Sequence, residues 1–391
     1  MLFFSNNKFF ASVVLLTTFF NPYTGLAGFI ASLVAVLVAY FIGFSREQVK
    51  SGLYTYSAVL VGLGMGTFYE FSAGFWILLA LAAVLSVLLS AAFIAKLGKS
   101  NLPALSLAFI FTLWVVILSS REFAVIGLTQ RNIYWLNEMY ATGGTDLIRL
   151  VQWFENLSLP DVVTGYLRSL SAILFQSNIA AGIVLTIALL FFSRIALTLM
   201  IAGYTIAIVF IQLMDGYAGS VNYYNLGTNF MLVSVALGGF YIIPSVRSFF
   251  WSLITVPISY ILVIALWKIT YTWGLPVFSM PFCITVILFL YVLQLRRTGG
   301  KMVLTPIQYY SPEENLYRYT NNKERVWNSF YYYHLSLPFM GEWTVSQGYD
   351  GSITHKGDWG KALDFVITDK EKKTYQGSGS LPEQFYCYNK P

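Results

Sequence analysis

Ser106 and Ser279 occupy nearly the same local sequence, Leu-Pro-Ala-Leu-Ser-Leu-Ala-Phe at 102–109 and Leu-Pro-Val-Phe-Ser-Met-Pro-Phe at 275–282. Proline is well placed in the first turn of a helix, where its missing N–H would find no partner anyway. Each serine then lies about one turn in. If these helices start inside an apolar layer, the two hydroxyls stand near the centre of a pore and can exchange hydrogen bonds with a solute. The alternative is that each proline merely opens a helix at an interface and each serine bonds back to its own turn. Recurrence at symmetric positions favours the pore.

The chemistry open to such a pore is narrow. No Asp, Glu, Lys, Arg or His occurs in Phe9–Ser45, Phe71–Ala95, Asn101–Ser120, Ser169–Ser193, Ile195–Met214, Gly216–Val246, Ser248–Trp267 or Ile269–Leu295. Holding a charge at mid-bilayer costs at least ~2.5–3.5 kcal/mol on insertion scales, so chains keep one there only for a purpose. Ion coupling and proton relays need acids or histidines inside, and the two histidines, His334 and His355, both lie in the C-terminal tail. Hydroxyls, amides and aromatic rings remain. They suit a neutral planar solute that trades water for side-chain and carbonyl oxygens while sliding between rings.

The elements that carry these groups are apolar. The chain is 57% hydrophobic and 11% charged, with a mean hydropathy of +0.64, whereas globular domains carry about 25% charged residues. Ten segments, 1–20, 25–44, 52–69, 73–95, 103–120, 169–192, 195–214, 226–243, 248–267 and 276–295, approach the roughly 20 residues that span a bilayer. The net charge of +6 reflects basic residues at segment ends, where they set orientation, and does not point to nucleic acid. Cys283 and Cys387, the only cysteines, make neither a disulfide framework nor a metal cluster.

An internal repeat organises the ten segments. Leu60–Tyr69 lies over Leu232–Tyr241 at an offset of 172, Leu2–Asn7 over Ile173–Asn178 at 171, and Leu102–Phe109 over Leu275–Phe282 at 173. Five segments per half is an odd number, so the second half enters the membrane from the opposite side. Such inverted repeats place a solute site at their interface near the midplane. With the N-terminus inside, Lys8, Arg46, Lys50, Lys96, Lys99, Arg194, Arg247, Arg296, Arg297 and Lys301 fall on the cytoplasmic side, and both termini face the cytoplasm.

At these residues the sequence resembles the urea transporter family. That family carries in each half a Gln-Val-x-Phe-x-Asn-Asn opening, an aromatic-Asn-x-x-Leu-x-Gly element and a Leu-Pro-x-x-Thr-x-Pro-Phe motif. Here the opening reads LFFSNN at 2–7, the middle element YTYSAVLVG at 54–62, and the closing motifs are the two Leu-Pro segments. The resemblance covers about residues 1–297 and implies a homotrimeric, channel-like facilitator with a pore in each subunit. By this likeness Phe4 and Phe175 would form aromatic slots, and Ser106 and Ser279 take the two Thr positions. Asn229 matches the Asn of the middle element, and Tyr56 is its aromatic residue in the first half. Departures are Ser57 for Asn, Ala172 for Gln or Glu, Ala108 for Pro and Cys283 for Asn. The first-half Gln would fall at Met1, so the chain is expected to start inside a motif.

From about Arg296 the text changes character. Residues 298–334 read as a linker with short strands or amphipathic pieces. From Leu335, LSLPFMGEWTVSQGYDGSITHKGDWGKALDF resembles the opening of lysostaphin-type zinc metallopeptidases, a β-rich domain. The resemblance implies His355 and Asp364 as the first two zinc ligands. A later His-x-His is needed to complete such a site and none follows, so zinc is expected only if the domain is completed.

These readings combine into an all-α polytopic membrane protein, two inverted five-helix repeats around a central pore, with a partial β-rich C-terminal domain. Its parts are a first repeat over 1–120, an extramembrane connector over 121–168, a second repeat over 169–297, a linker over 298–334 and a peptidase-like segment over 335–391. Transport needs no cofactor. The expected partners are urea or a small neutral amide, the lipid bilayer and two further copies of the chain, in a bacterial inner membrane. A competing reading makes the helices chiefly an anchor for a membrane-bound metallopeptidase. An anchor, however, has no use for two symmetric Leu-Pro-x-x-Ser motifs.

Overall fold

The structure, a computed structural model, describes residues 5, 7–129, 135–214, 227–296, 302–305, 311–322 and 341–388. It divides into two units, 1–330 and 331–391.

In the first unit the described helices are α1 (Lys8–Thr18), α2 (Pro22–Ile42), the short α3 (Arg46–Lys50), α4 (Tyr56–Phe68), α5 (Ala73–Gly98) and α6 (Leu107–Ser119), then α7 (Trp135–Glu155) and α8 (Asp161–Ala172). They continue as α9 (Ile179–Phe192), α10 (Arg194–Leu213), α11 (Gly227–Val235), α12 (Val246–Tyr271), α13 (Met280–Gln294) and α14 (Pro312–Asn322). Among the described residues, α2, α5, α10 and α12 are long and apolar enough to cross a membrane. At 26 residues each, α5 and α12 reach about 39 Å at 1.5 Å per residue, enough to cross a hydrocarbon core of about 30 Å. Large apolar side chains such as Phe41, Phe191 and Phe9 point outward, as lipid-facing groups do.

The helix starts follow local chemistry. Asn7 caps α1 by accepting from the Phe10 amide, and Asn178 caps α9 by accepting from Ala181. Asn21 and Ser193 cap α2 and α10, and Ser72 and Ser245 cap α5 and α12. An Asn or Ser oxygen here satisfies an amide that has no partner inside the helix. The capping positions are spaced 171, 172 and 173 residues apart, the same offsets as the sequence repeat.

Two departures from the expected segments matter for the site. The helices expected from 103 and 276 begin at Leu107 and Met280, because Leu105 and Phe278 adopt left-handed backbone with φ of 47° and 49°. The segment expected over 169–192 is broken between α8 and α9, where Phe175 (φ 59°) and Ser177 (φ 44°) are also left-handed. A non-glycine residue in that region costs roughly 1–2 kcal/mol and persists only when its surroundings fix it. At 13 and 15 residues, α6 and α13 are too short to cross alone. The non-helical stretches before them complete the path, which inside a membrane is tolerated only where backbone is buried in protein or lines a cavity.

Close packing of α2 against α4 rests on glycine. A Cβ on Gly62 would lie 2.5 Å from the Ala27 carbonyl oxygen and 2.8 Å from Gly28 Cα, so the two backbones touch there. After α13, the chain adds a short bridge from Leu304 to Ile242 and then α14. Glu313 of α14 accepts from Ser193 Oγ (2.7 Å) and the Ile195 amide (2.8 Å), and Asn315 donates to the Phe240 carbonyl. A carboxylate suits that place, since the start of α10 presents free amides and a partial positive charge.

The second unit holds one antiparallel pair among its described residues, β1 (Thr344–Gln347) with β2 (Asp364–Val366), irregular between Val345 and Gln347. The expected β-rich character is thus limited, in the described part, to a small two-stranded sheet.

Candidate functional site

The Leu-Pro segments converge on one cavity of about 830 Å³ within the first unit. Ser106 Oγ and Ser279 Oγ stand 2.6 Å apart, and Ser106 Oγ is also 3.2 Å from Cys283 Sγ. Both serines line the cavity, as do Tyr56, Asn229 and Phe175. The structure therefore brings five of the six residues expected in the pore to one place; the sixth, Phe4, lies outside the described residues.

Aromatic rings wall the space around the hydroxyls. Phe175 packs edge-on against Phe68, Phe109 and Phe278, each with ring centroids 6.1 Å away, and Phe109 meets Phe278 at 5.2 Å. Among the described residues that line the cavity there is no Asp, Glu, Lys, Arg or His. Polarity there comes from hydroxyls, amides and the carbonyls of the two non-helical stretches.

Those stretches are held from both halves. Asn229 Nδ2 donates to the Phe278 carbonyl at 2.9 Å, while its Oδ1 accepts from the Phe282 amide at 3.2 Å. Tyr56 donates its phenol to the Leu105 carbonyl. Trp114 Nε1 donates to the Pro276 carbonyl at 2.8 Å. Two further side chains donate across the halves as a matched pair. Arg121 donates to the carbonyls of Trp273 and Gly274, and Gln294 to that of Asn101 at 3.1 Å. Gly274 and Asn101 are 173 residues apart and both left-handed, and the donors Arg121 and Gln294 are also 173 residues apart. These crossed bonds leave no local signal, because Arg121 reads as an ordinary loop charge and Gln294 as a helix-end polar residue.

In the C-terminal unit, His355 is buried, its Nδ1 sits 2.8 Å from the Gly348 carbonyl, and its Nε2 sits 3.2 Å from Asp364 Oδ1. The two residues expected as zinc ligands do converge. Zinc needs at least three protein ligands, and no group of three His, Cys, Asp or Glu able to hold a metal occurs among the described residues. The residues described do not make a complete zinc site.

Comparison with known proteins accords with the membrane unit. The family described as "Urea transporter" matches residues 1–294. Urea transporter 1 of sheep (Ovis aries) is 25% identical over 322 residues, covering 78% of this chain and 77% of that protein. Urea transporter 1 of rat (Rattus norvegicus) is 23% identical over 320 residues, covering 79% and 78%. With four described helices long and apolar enough to cross a bilayer, a cavity without charged groups among its described lining residues and a family match over most of its length, the chain is an integral membrane protein and belongs to the urea transporter family.

Proposed function

We propose that the chain is a channel-like facilitator that passes urea, or a short amide, down its concentration gradient. The observation that carries this reading is the uncharged, ring-walled cavity in which Ser106 and Ser279 meet at 2.6 Å. Urea is planar and neutral, with N–H donors on two sides and one carbonyl acceptor. Its faces suit a cavity walled by aromatic rings such as Phe175 and Phe278, and its edges need oxygens to replace water. A hydroxyl can both donate and accept, so the two serines offer a partner to either end of the solute. No charged group lines the described cavity, so nothing there couples the solute to an ion or a proton.

The reading extends to architecture. Matching caps, matching left-handed residues and matched crossed bonds support two halves of inverted topology that share one pore, and the basic residues at the segment ends support both chain ends on the cytoplasmic side. The family likeness supports three copies per assembly, each with its own pore, in a bacterial inner membrane. His355 and Asp364 would serve as half of a zinc site if other residues supplied the remaining ligands, and the membrane unit works without a cofactor.

The test is stopped-flow shrinkage and reswelling of proteoliposomes under a urea gradient, repeated with acetamide and with a proton uncoupler. Fast, uncoupler-insensitive reswelling is expected. Flux no greater than that of protein-free vesicles, or accumulation against the gradient, would overturn the reading.

A further inference from the structure

The two halves hold their central serines by different side chains. In the second half the left-handed residue before the serine, Phe278, has its carbonyl fixed by Asn229. The repeat places Ser57 opposite Asn229. Ser57 is fully buried, and a serine hydroxyl stands one bond closer to its backbone than the amide nitrogen of an asparagine. In the first half the equivalent carbonyl, that of Leu105, is bonded instead by the phenol of the neighbouring residue, Tyr56. Leu105 and Phe278 carry almost the same left-handed φ, 47° and 49°. Both strained positions thus receive one donor on the same backbone atom, from adjacent positions of equivalent helices.

We propose that Tyr56 is a positioning residue that replaces the missing first-half asparagine, locking the Leu105 carbonyl so that the Ser106 hydroxyl faces Ser279. This rests on the channel reading above, in that the hydroxyl it positions is the one offered to the solute. The physical basis is that left-handed backbone at a leucine is unfavourable and needs outside contacts to persist. With the phenol removed, the carbonyl loses its donor, the 104–106 stretch relaxes, and the hydroxyl leaves its place. Tyr56 lines the cavity, yet its oxygen is committed to the backbone. Its contribution to the solute is then made through Ser106 and not by direct contact.

The test uses the full chain in liposomes, with Tyr56→Phe alone and combined with Ser57→Asn, which restores an amide donor one residue along. Two readouts are taken. Urea flux is expected to fall roughly tenfold in Tyr56→Phe, the loss that follows from one buried hydrogen bond, and to recover most of that loss in the double variant. Hydrogen exchange in peptides covering 104–108 is expected to rise in Tyr56→Phe and to return in the double variant. This second readout stands whether or not the chain conducts urea, so failure of the channel reading and failure of the lock are told apart. Unchanged exchange in Tyr56→Phe, or increased exchange that Ser57→Asn does not reverse, would overturn the proposal.

Discussion

Ser106 Oγ and Ser279 Oγ are 173 residues apart in sequence and 2.6 Å apart in space. Each hydroxyl is the other's partner across the line where the two halves meet. A solute that passes between them must part this bond and offer its own donors and acceptors in exchange. The swap keeps both hydroxyls satisfied throughout, which holds down the cost of leaving water.

Ser106→Val and Ser279→Val are each expected to reduce urea flux about five- to hundred-fold. Valine keeps the volume but removes the hydroxyl, leaving a buried polar group unpaired at ~1–3 kcal/mol. Because the two serines share one bond, the double variant should lose less than the product of the single losses. Wild-type flux in both single variants, measured by stopped-flow light scattering, would place the hydroxyls off the path.

Urea flux is expected to be flat across the neutral pH range and indifferent to membrane potential. The motive is the lack of Asp, Glu, Lys, Arg and His among the described cavity residues. Proteoliposomes under valinomycin-clamped potentials and imposed pH gradients provide the measurement. A flux that rises or falls with either one would require a charged group on the path.

Gly62→Ala should destabilise the membrane unit by about 1–3 kcal/mol, the usual cost of forcing a methyl into a packed interior. Its Cβ would fall 2.5 Å from the Ala27 carbonyl and 2.7 Å from Ala31 Cβ, and backbone has little freedom to retreat. Thermal melts of the detergent-solubilised protein should register a lower midpoint. Gly43→Ala offers a contrast at α2's end, where the space is open and the strain comes only from a φ of 92°.

Arg121→Ala is expected to lower urea flux, whereas Arg121→Gln should retain most of it. Glutamine is what the other half uses for the equivalent bond, from Gln294 to the Asn101 carbonyl. If the positive charge itself mattered, Arg121→Gln would fail as badly as alanine and Arg121→Lys would succeed. Comparing the three variants by urea reswelling rate separates hydrogen bonding from charge.

The 391-residue chain is expected to retain no zinc after equilibrium dialysis. His355 and Asp364 sit 3.2 Å apart, but two ligands are too few. Stoichiometric zinc that disappears in His355→Ala would mean that residues outside the described set complete the site.

The parts of this design that were legible in the sequence are those carried by residue type at fixed spacing. The Leu-Pro-x-x-Ser frames located Ser106 and Ser279, and the charge-free segments located the membrane unit. The left-handed turns at Leu105 and Phe278 left no local signal. Glycine or asparagine would have announced such a turn, whereas leucine and phenylalanine are held in it by bonds from other helices. The same reason hid the role of Tyr56 and the pairing of Arg121 with Gln294, whose partners are distant along the chain. Residues 312–322 read as linker because their composition is polar. They form a helix in place because Glu313 and Asn315 find backbone partners on α10 and beside α11.

The bond from Gln294 to Asn101 also sets an order in time. The two residues are separated by 193 positions, and at a synthesis rate of about 5–20 residues per second the second emerges roughly 10–40 s after the first. Throughout that interval the stretch before α6 lacks its partner from α13, while the neighbouring hydroxyl of Ser106 lacks Ser279. The nascent first half must therefore wait in the membrane with polar backbone unsealed, and the last helix of the second half is the piece that closes it. A chain interrupted before α13 would have its first half fully translated but still open.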